Sequence, residues 1–403
     1  MDDESNPPLM DTYQHLFDDN QPHSLLDAAD ATDDDYGCDL PVIDLAVLEK
    51  GRDTAAAELC RAEIVRAATE WGFFQVTNHA VPQVLLDKLR EEQVRVFRRP
   101  FQRKVNEPLL DFSQESYRWG TPTATSLEQL SWSEAYHIPI TPPSAPEHDY
   151  QVATANEDDY YTRYVIEEVS TAMWQLAQQL ASILIRELQR DDDHEMMMSC
   201  TRSTCFLRLN RYPPCGSGGA FGLCPHTDSD FLTILRPQDS VGGLQLLKAG
   251  RWLTMKPSPS ELVVNIGDLL QAWSNDLYRS VEHRVVAHAA RERFSVAFFL
   301  CPSYDTVICP RRRPEGSQIE SLYSSFTFGE YRSQIREDVN LTGRKIGLPR
   351  FRRHARSPPV TQDLRPRVSA HMKRFKSRYG VPERLLKLYL WRTICFVWTK
   401  ENW

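Results

Sequence analysis

From residue 40 the chain alternates apolar and polar side chains over LPVIDLAVL, the period-two pattern of a strand. The next stretch, AAAELCRAEIVRAATEWG (55–72), changes period. Leu59, Ile64, Val65 and Ala68 fall on roughly one helical face, and Gly72 is placed to end the helix. FFQVTNH returns to strand character. PQVLLDKLREEQVRVF (82–97) predicts a second helix with Pro82 at its start, where a missing N–H costs nothing. Over about 156–190, Val165, Val169, Met173, Leu176, Leu180 and Leu184 recur every three or four residues, which predicts a long helix. From Phe206 onward come short runs: FLRLNRY, FLTILR, GGLQLLK, RWLTMKP, ELVVNIGD, SVEHRVV and RFSVAFFLC, broken by Pro, Gly, Asn or Asp. Many short strands separated by turns predict a sandwich or barrel. The expected class is α+β, mainly β, with an antiparallel core backed by N-terminal helices.

Composition narrows this picture without changing it. An apolar share of 41% in 403 residues is ordinary for a globular protein. No apolar run reaches the ~18 residues of a membrane span. MDDESNPPLMDTYQ lacks the basic and apolar parts of a secretory signal, and nine cysteines contain no CxxC pair. Reduced thiols in a cytoplasmic protein are therefore expected. Charge is uneven: residues 1–39 hold twelve acids and no Lys or Arg, which predicts a disordered acidic leader. Residues 352–403 hold thirteen Lys or Arg against three acids. That basic tail, of uncertain structure, leaves nuclear entry open, but a solvated tail is a simpler reading than a nucleic-acid arm, and no nucleic-acid partner is expected. No repeat or Gly/Ser linker divides residues 40–351. They read as one unit, with an N-terminal part (40–200), a β core (201–310) and C-terminal elements to 351.

The candidate chemistry begins in GLCPHTDSDFL. His226 and Asp228 are two apart, and in extended backbone such side chains point the same way. An imidazole and a carboxylate suit iron, manganese or zinc, and His283 in YRSVEHRVV is the candidate third ligand on a neighbouring strand. Alone, each is more often an ordinary surface or strand residue. RERFSVAFF adds Arg293 and Ser295, again i and i+2, where a guanidinium and a hydroxyl form a carboxylate receptor. LNRYPPC supplies Asn210 and Tyr212, able to add hydrogen bonds to the same acid.

In this order and spacing, Asn210-x-Tyr212-Pro213, His226-x-Asp228, His283 and Arg293-x-Ser295 resemble the plant 2-oxoglutarate/Fe(II)-dependent dioxygenases. The resemblance spans roughly residues 40–351, including LPVIDL and EWGFFQVTNHAVP, where Ala80 stands in place of the family's commoner Gly. It implies a double-stranded β-helix (jelly-roll) catalytic core. It implies Fe(II) held by His226, Asp228 and His283, and 2-oxoglutarate with its far carboxylate on Arg293 and Ser295, assisted by Tyr212 and Asn210. It also implies O2 as co-reactant, succinate and CO2 as products, ascorbate in support, and no general base.

Within the family, YRWGTPTATSLEQLSWSEAYHIPI (117–140), CPHTDSDFLTIL and GEYRSQIREDVNLTGRKIGLPRF resemble gibberellin 2-oxidases acting on C20 gibberellins. The implied reaction is 2β-hydroxylation of a carboxylated diterpenoid, deactivating a hormone precursor. Such a substrate needs apolar walls and one or two polar anchors. Arg118, Trp119, Trp132 and Tyr136 either supply these or are an exposed charge and core packing, while His79 and His137 read as structural. Gibberellin 20- or 3-oxidation or flavonoid oxidation would use the same iron residues. A non-catalytic jelly-roll binding protein and a zinc hydrolase are the readings from other classes, and the hydrolase leaves Arg293, Ser295 and Tyr212 without a task. The stretch after LPRF (348–351) has no counterpart in the family, and no oligomeric state follows from the pattern.

Overall fold

A computed structural model of the chain describes residues 4–17, 37–48, 54–110, 116–140, 157–188, 193–216, 219–237, 241–310 and 321–353. All the predicted strand runs from Phe206 onward form strands, and they lie in two sheets. An eight-stranded sheet runs in the order Val42–Asp44, Phe73–Thr77, Leu262–Ile266, Leu232–Pro237, Arg293–Leu300, Phe206–Tyr212, Glu134–Pro139, Tyr117–Trp119. A five-stranded sheet runs Gly37–Cys38, Arg251–Met255, Leu244–Lys248, His283–Val286, Phe221–His226. Pairing is antiparallel except at one edge of each sheet. From Phe206 the chain passes back and forth between the sheets, apart from the hairpin at 244–255. This is the connectivity of a double-stranded β-helix. The strand Phe221–His226 is absent from the sequence expectation, because Gly222 and Pro225 break its apolar pattern.

Period-two alternation decides what each inner strand offers. On Arg293–Leu300, Phe294, Val296, Phe298 and Leu300 enter the main core, while Arg293, Ser295, Ala297 and Phe299 line a cavity between the sheets. Phe206–Tyr212 does the same, sending Leu207 and Leu209 to the core and the alternate residues to the cavity. The helix Glu157–Leu188 backs this arrangement, and all six of its predicted apolar positions are buried in that core. The helix Ala55–Glu70, capped by Thr54 accepting from Ala57 N (3.2 Å), buries Ala57, Cys60, Ile64, Ala67 and Ala68. Leu59, expected on the buried face, is 68% exposed. Five steps of about 100° carry it roughly 140° away from Ile64. Gly72 has φ 66°, and a Cβ there would meet the Arg279 carbonyl at 2.2 Å. Ala80 has φ 59°, the left-handed region that glycine enters without strain, which explains the residue more usual there.

The expectation of a disordered leader fails at residues 4–17. Leu9 and Tyr13, one helical turn apart, are buried against Leu127, Leu130 and Trp132. Tyr13 and Phe17 meet Trp119 and Trp132 edge-on. Beneath them Glu134 accepts from Lys104, Tyr117 and Arg211, all buried. Lys104 also donates to the Ser5 carbonyl (2.7 Å) and Arg211 to Asn6 Oδ1 (2.8 Å). Counting acids hid three apolar anchors, Leu9, Tyr13 and Phe17. The expectation fails again at Gly37–Cys38, an edge strand, while residues 1–3 and 18–36 and the basic tail from 354 lie outside the described residues. No helix among the described residues is long and apolar enough to cross a membrane. Glu134→Gln should lower unfolding free energy by about 3 kcal/mol, because it takes the buried carboxylate from Lys104 and leaves Arg211 only the part-exposed Glu292. Urea denaturation checks this, and a shift within ~0.5 kcal/mol would show that the network contributes little.

Candidate active site

The cavity between the sheets brings the separate sequence motifs together. His226 ends the strand Phe221–His226, and His283 opens the antiparallel neighbour directly opposite it in register. Asp228 follows two residues later. Its Oδ1 is 3.7 Å from His226 Nε2 and 3.8 Å from His283 Nε2, and the three donor atoms lie within 4.8 Å of one another. Both imidazoles are oriented from behind: His226 donates Nδ1–H to the Cys224 carbonyl (2.7 Å) and His283 to the Val281 carbonyl (3.1 Å). That leaves each Nε2 lone pair facing the shared point. Asp228 Oδ2 accepts from Thr233 Oγ1 (2.6 Å) and Asn265 Nδ2 (2.7 Å), which keeps Oδ1 free.

Electrostatics favour the ligating protonation states of His226 and Asp228. Burial, then the facing His283, pushes the His226 pKa well below its ordinary value. Burial would raise Asp228, but the two imidazoles and the bonds from Thr233 and Asn265 outweigh it and lower the pKa. Neutral imidazoles and an ionised carboxylate are what a divalent cation requires. Two histidines and one carboxylate leave further coordination positions open, as non-haem Fe(II) sites do. The donor set therefore fits iron.

The second motif lines the same cavity from the other sheet. Register pairs Arg293 with Tyr212 and Ser295 with Asn210 across two strands, so all four side chains share one face. The Arg293 guanidinium lies 5.0 Å from the Tyr212 ring centre, and its buried Nη1 has no hydrogen-bond partner. Asn210 Nδ2 donates to Ser295 Oγ (3.4 Å). A buried cation with an idle donor calls for an anion, and a carboxylate matches the guanidinium fork. From the helix Gln83–Phe97, buried Gln93 donates to the carbonyls of both Asn210 (2.9 Å) and Ser295 (3.0 Å), fastening this strand pair.

Sequence reasoning missed several residues at the site. Arg208, Arg332 and Lys345 line the cavity with the aromatic rings of Phe206, Phe299 and Phe328. Arg208 was within reach of the same period-two rule, being two residues before Asn210 on the same strand. Arg332 and Lys345 had no such signal. His137, expected to be structural, lines the cavity against Phe206 at 4.1 Å. His79 is structural, accepting from Val81 N (3.3 Å). Trp119, Trp132 and Tyr136 are not cavity walls. The tryptophans pack on the N-terminal segment, and Tyr136 is buried beside Phe97 and Tyr117. Arg118 is exposed and is not among the lining residues, yet register through Ala135 puts it on the same sheet face as Asn210, near enough for its charge to act on His137 and Arg208.

Comparison with known proteins agrees with this geometry. The model of the 2OG-Fe(II) oxygenase superfamily matches residues 203–302, and that of the non-haem dioxygenase N-terminal region, described from morphine synthesis, matches 40–158. Gibberellin 2-beta-dioxygenase 5 of Oryza sativa subsp. japonica is 61% identical, covering 87% of this chain and 98% of that protein. The chain belongs to the 2-oxoglutarate/Fe(II) oxygenase superfamily. Gibberellin 2-beta-dioxygenase 8 of Arabidopsis thaliana, another member, is 48% identical over 78% of this chain and 88% of its own. The solved structure of JOX2 in complex with 2OG, Fe and JA superposes with a TM-score of 0.60 at 34% identity, covering 74% of this chain and 85% of that one. As an oxygenase of this superfamily the protein uses Fe(II), 2-oxoglutarate and O2.

Proposed function

We propose that this dioxygenase 2β-hydroxylates gibberellins, releasing succinate and CO2, and so deactivates C20 gibberellin precursors. The reaction type rests on the similarity to gibberellin 2-beta-dioxygenases. One observation carries the substrate class. The cavity holds three guanidiniums, those of Arg208, Arg293 and Arg332, and no carboxylate lies within ion-pair distance of any of them among the described residues. Desolvation opposes the charge on Arg208 and lowers its pKa. Such a surplus accommodates two organic anions: the cosubstrate, and a carboxylated substrate whose apolar body meets Phe206, Phe299 and Phe328.

In this reading His226, Asp228 and His283 hold the iron, which when bound supplies O2 activation and the oxidising power. Arg293 and Ser295 grip the far carboxylate of 2-oxoglutarate, Tyr212 closes over it, and Asn210 orients Ser295. Arg208 and Arg332 take the substrate carboxylate and set which ring carbon faces the metal. The apolar walls exclude water. No side chain acts as a general base, because hydroxylation at carbon needs no proton removed by the protein.

The test is anaerobic loading with Fe(II) and 2-oxoglutarate, then O2 with a 20-methyl gibberellin, following succinate and a one-oxygen mass gain together. Succinate without an oxidised gibberellin would discard the hormone. Arg332→Ala should raise the gibberellin KM about 10- to 100-fold, the equivalent of one charge-assisted hydrogen bond. The 2-oxoglutarate KM should stay put. A gibberellin KM unchanged in both Arg332→Ala and Arg208→Met would remove the carboxylate-anchor reading.

A further inference from the structure

The loop carrying two of the metal-site residues is gripped from behind by a buried ion pair. Thr227, between His226 and Asp228, donates Oγ1–H to Asp268 Oδ2 (3.0 Å). Its carbonyl accepts from Lys345 Nζ (2.8 Å). The same ammonium donates to Asp268 Oδ2 (2.6 Å), which also accepts from the Tyr331 hydroxyl. Asp268 N in turn donates to the Asp228 carbonyl (2.9 Å). The pair is secluded, with 14% of the Lys345 side chain and 3% of that of Asp268 exposed.

Three elements therefore converge on one tripeptide. Asp268 opens the helix Asp268–Trp273, directly after the strand that supplies Asn265 to Asp228. Tyr331 lies on the helix Phe328–Thr342, and Lys345 follows that helix past the left-handed Gly343. The backbone at His226-x-Asp228 is thus tied at two carbonyls, that of Asp228 by the Asp268 amide and that of Thr227 by Lys345. Without the ammonium, Asp268 would keep two neutral donors, Thr227 and Tyr331, for a buried charge, and the Thr227 carbonyl would lose its partner. A shift of the turn would then carry both ligand side chains with it.

We infer that Lys345 is a positioning residue for the metal: through Asp268 and the Thr227 carbonyl it fixes the His226-x-Asp228 turn so that both side chains reach one ion. The inference rests on the ligand assignment proposed above. It is tested by anaerobic titration of the full chain with Co(II), whose visible absorption reports coordination. Wild-type protein should bind with a defined spectrum, and failure to bind would sink the ligand assignment itself. K345M, which keeps length but removes charge, should bind about 10- to 100-fold more weakly, with a changed spectrum, as residues supporting metal ligands do. K345R should recover most of the affinity. D268N/K345M should lose little beyond K345M alone, because the two act as one unit. Wild-type Co(II) affinity and spectrum in K345M would overturn the inference, even if its melting temperature fell, since the pair would then be structural only. Equal losses in K345R and K345M would also overturn it.

Discussion

The Asp228→Ala protein will release no succinate above background and will bind Fe(II) more than about 100-fold more weakly than wild type. Residues that merely support ligands are worth 10–100-fold in affinity, and a ligand itself is worth more. Removing Asp228 also takes the acceptor from Asn265 and leaves the Thr233 hydroxyl only Asp230, the two having converged on its second oxygen. The loss should be local, because neither partner belongs to the main apolar core. Equilibrium metal binding, read beside far-UV circular dichroism, separates ligand loss from misfolding. Full turnover with a native spectrum would remove Asp228 from the metal site. An Asp228→Glu variant adds a control: its longer side chain should restore part of the metal binding but little turnover.

Arg293→Ala should weaken 2-oxoglutarate binding by about 2–5 kcal/mol, the cost of removing one side of a buried charge pair. At about 1.4 kcal/mol per decade that is at least ~30-fold in Kd. Metal affinity should be nearly unchanged, since Arg293 lies in the eight-stranded sheet and His226 and His283 in the other. Arg293→Lys will not rescue fully, because an ammonium cannot reproduce the two-pronged fit to a carboxylate. Calorimetric titration of 2-oxoglutarate into the metal-loaded protein measures both variants. An Arg293→Ala affinity within threefold of wild type would transfer the cosubstrate to another cation, with Arg208 the nearest candidate by strand position.

Much of the site was legible because its residues come in pairs two apart on extended backbone. His226 with Asp228, Asn210 with Tyr212 and Arg293 with Ser295 each share a face for a purely local reason. The helix at 157–188 was legible for a similar reason, with a period of 3.6 in place of two. Trp119, Trp132 and Tyr136 were ambiguous because an aromatic side chain is equally at home in a core or a pocket. Their neighbours decided the matter: Tyr13 and Phe17 cover the tryptophans, and Phe97 packs on Tyr136. The leader was misread at residues 4–17 because average charge outweighed three apolar side chains spaced four apart, Leu9, Tyr13 and Phe17.

The chain by itself determined the chemistry on offer: two imidazoles, a carboxylate and an arginine–serine pair on strands whose alternation aims them inward. Tertiary structure alone decided that the two histidines stand opposite each other across a strand pair, and that Arg208 and Arg332 join one cavity. It also decided that Lys345 reaches back to Thr227, between His226 and Asp228. Backbone geometry sets the face a residue occupies and acts over two to four residues. Strand register and helix docking set which faces meet, and they depend on the packing of the whole core at once.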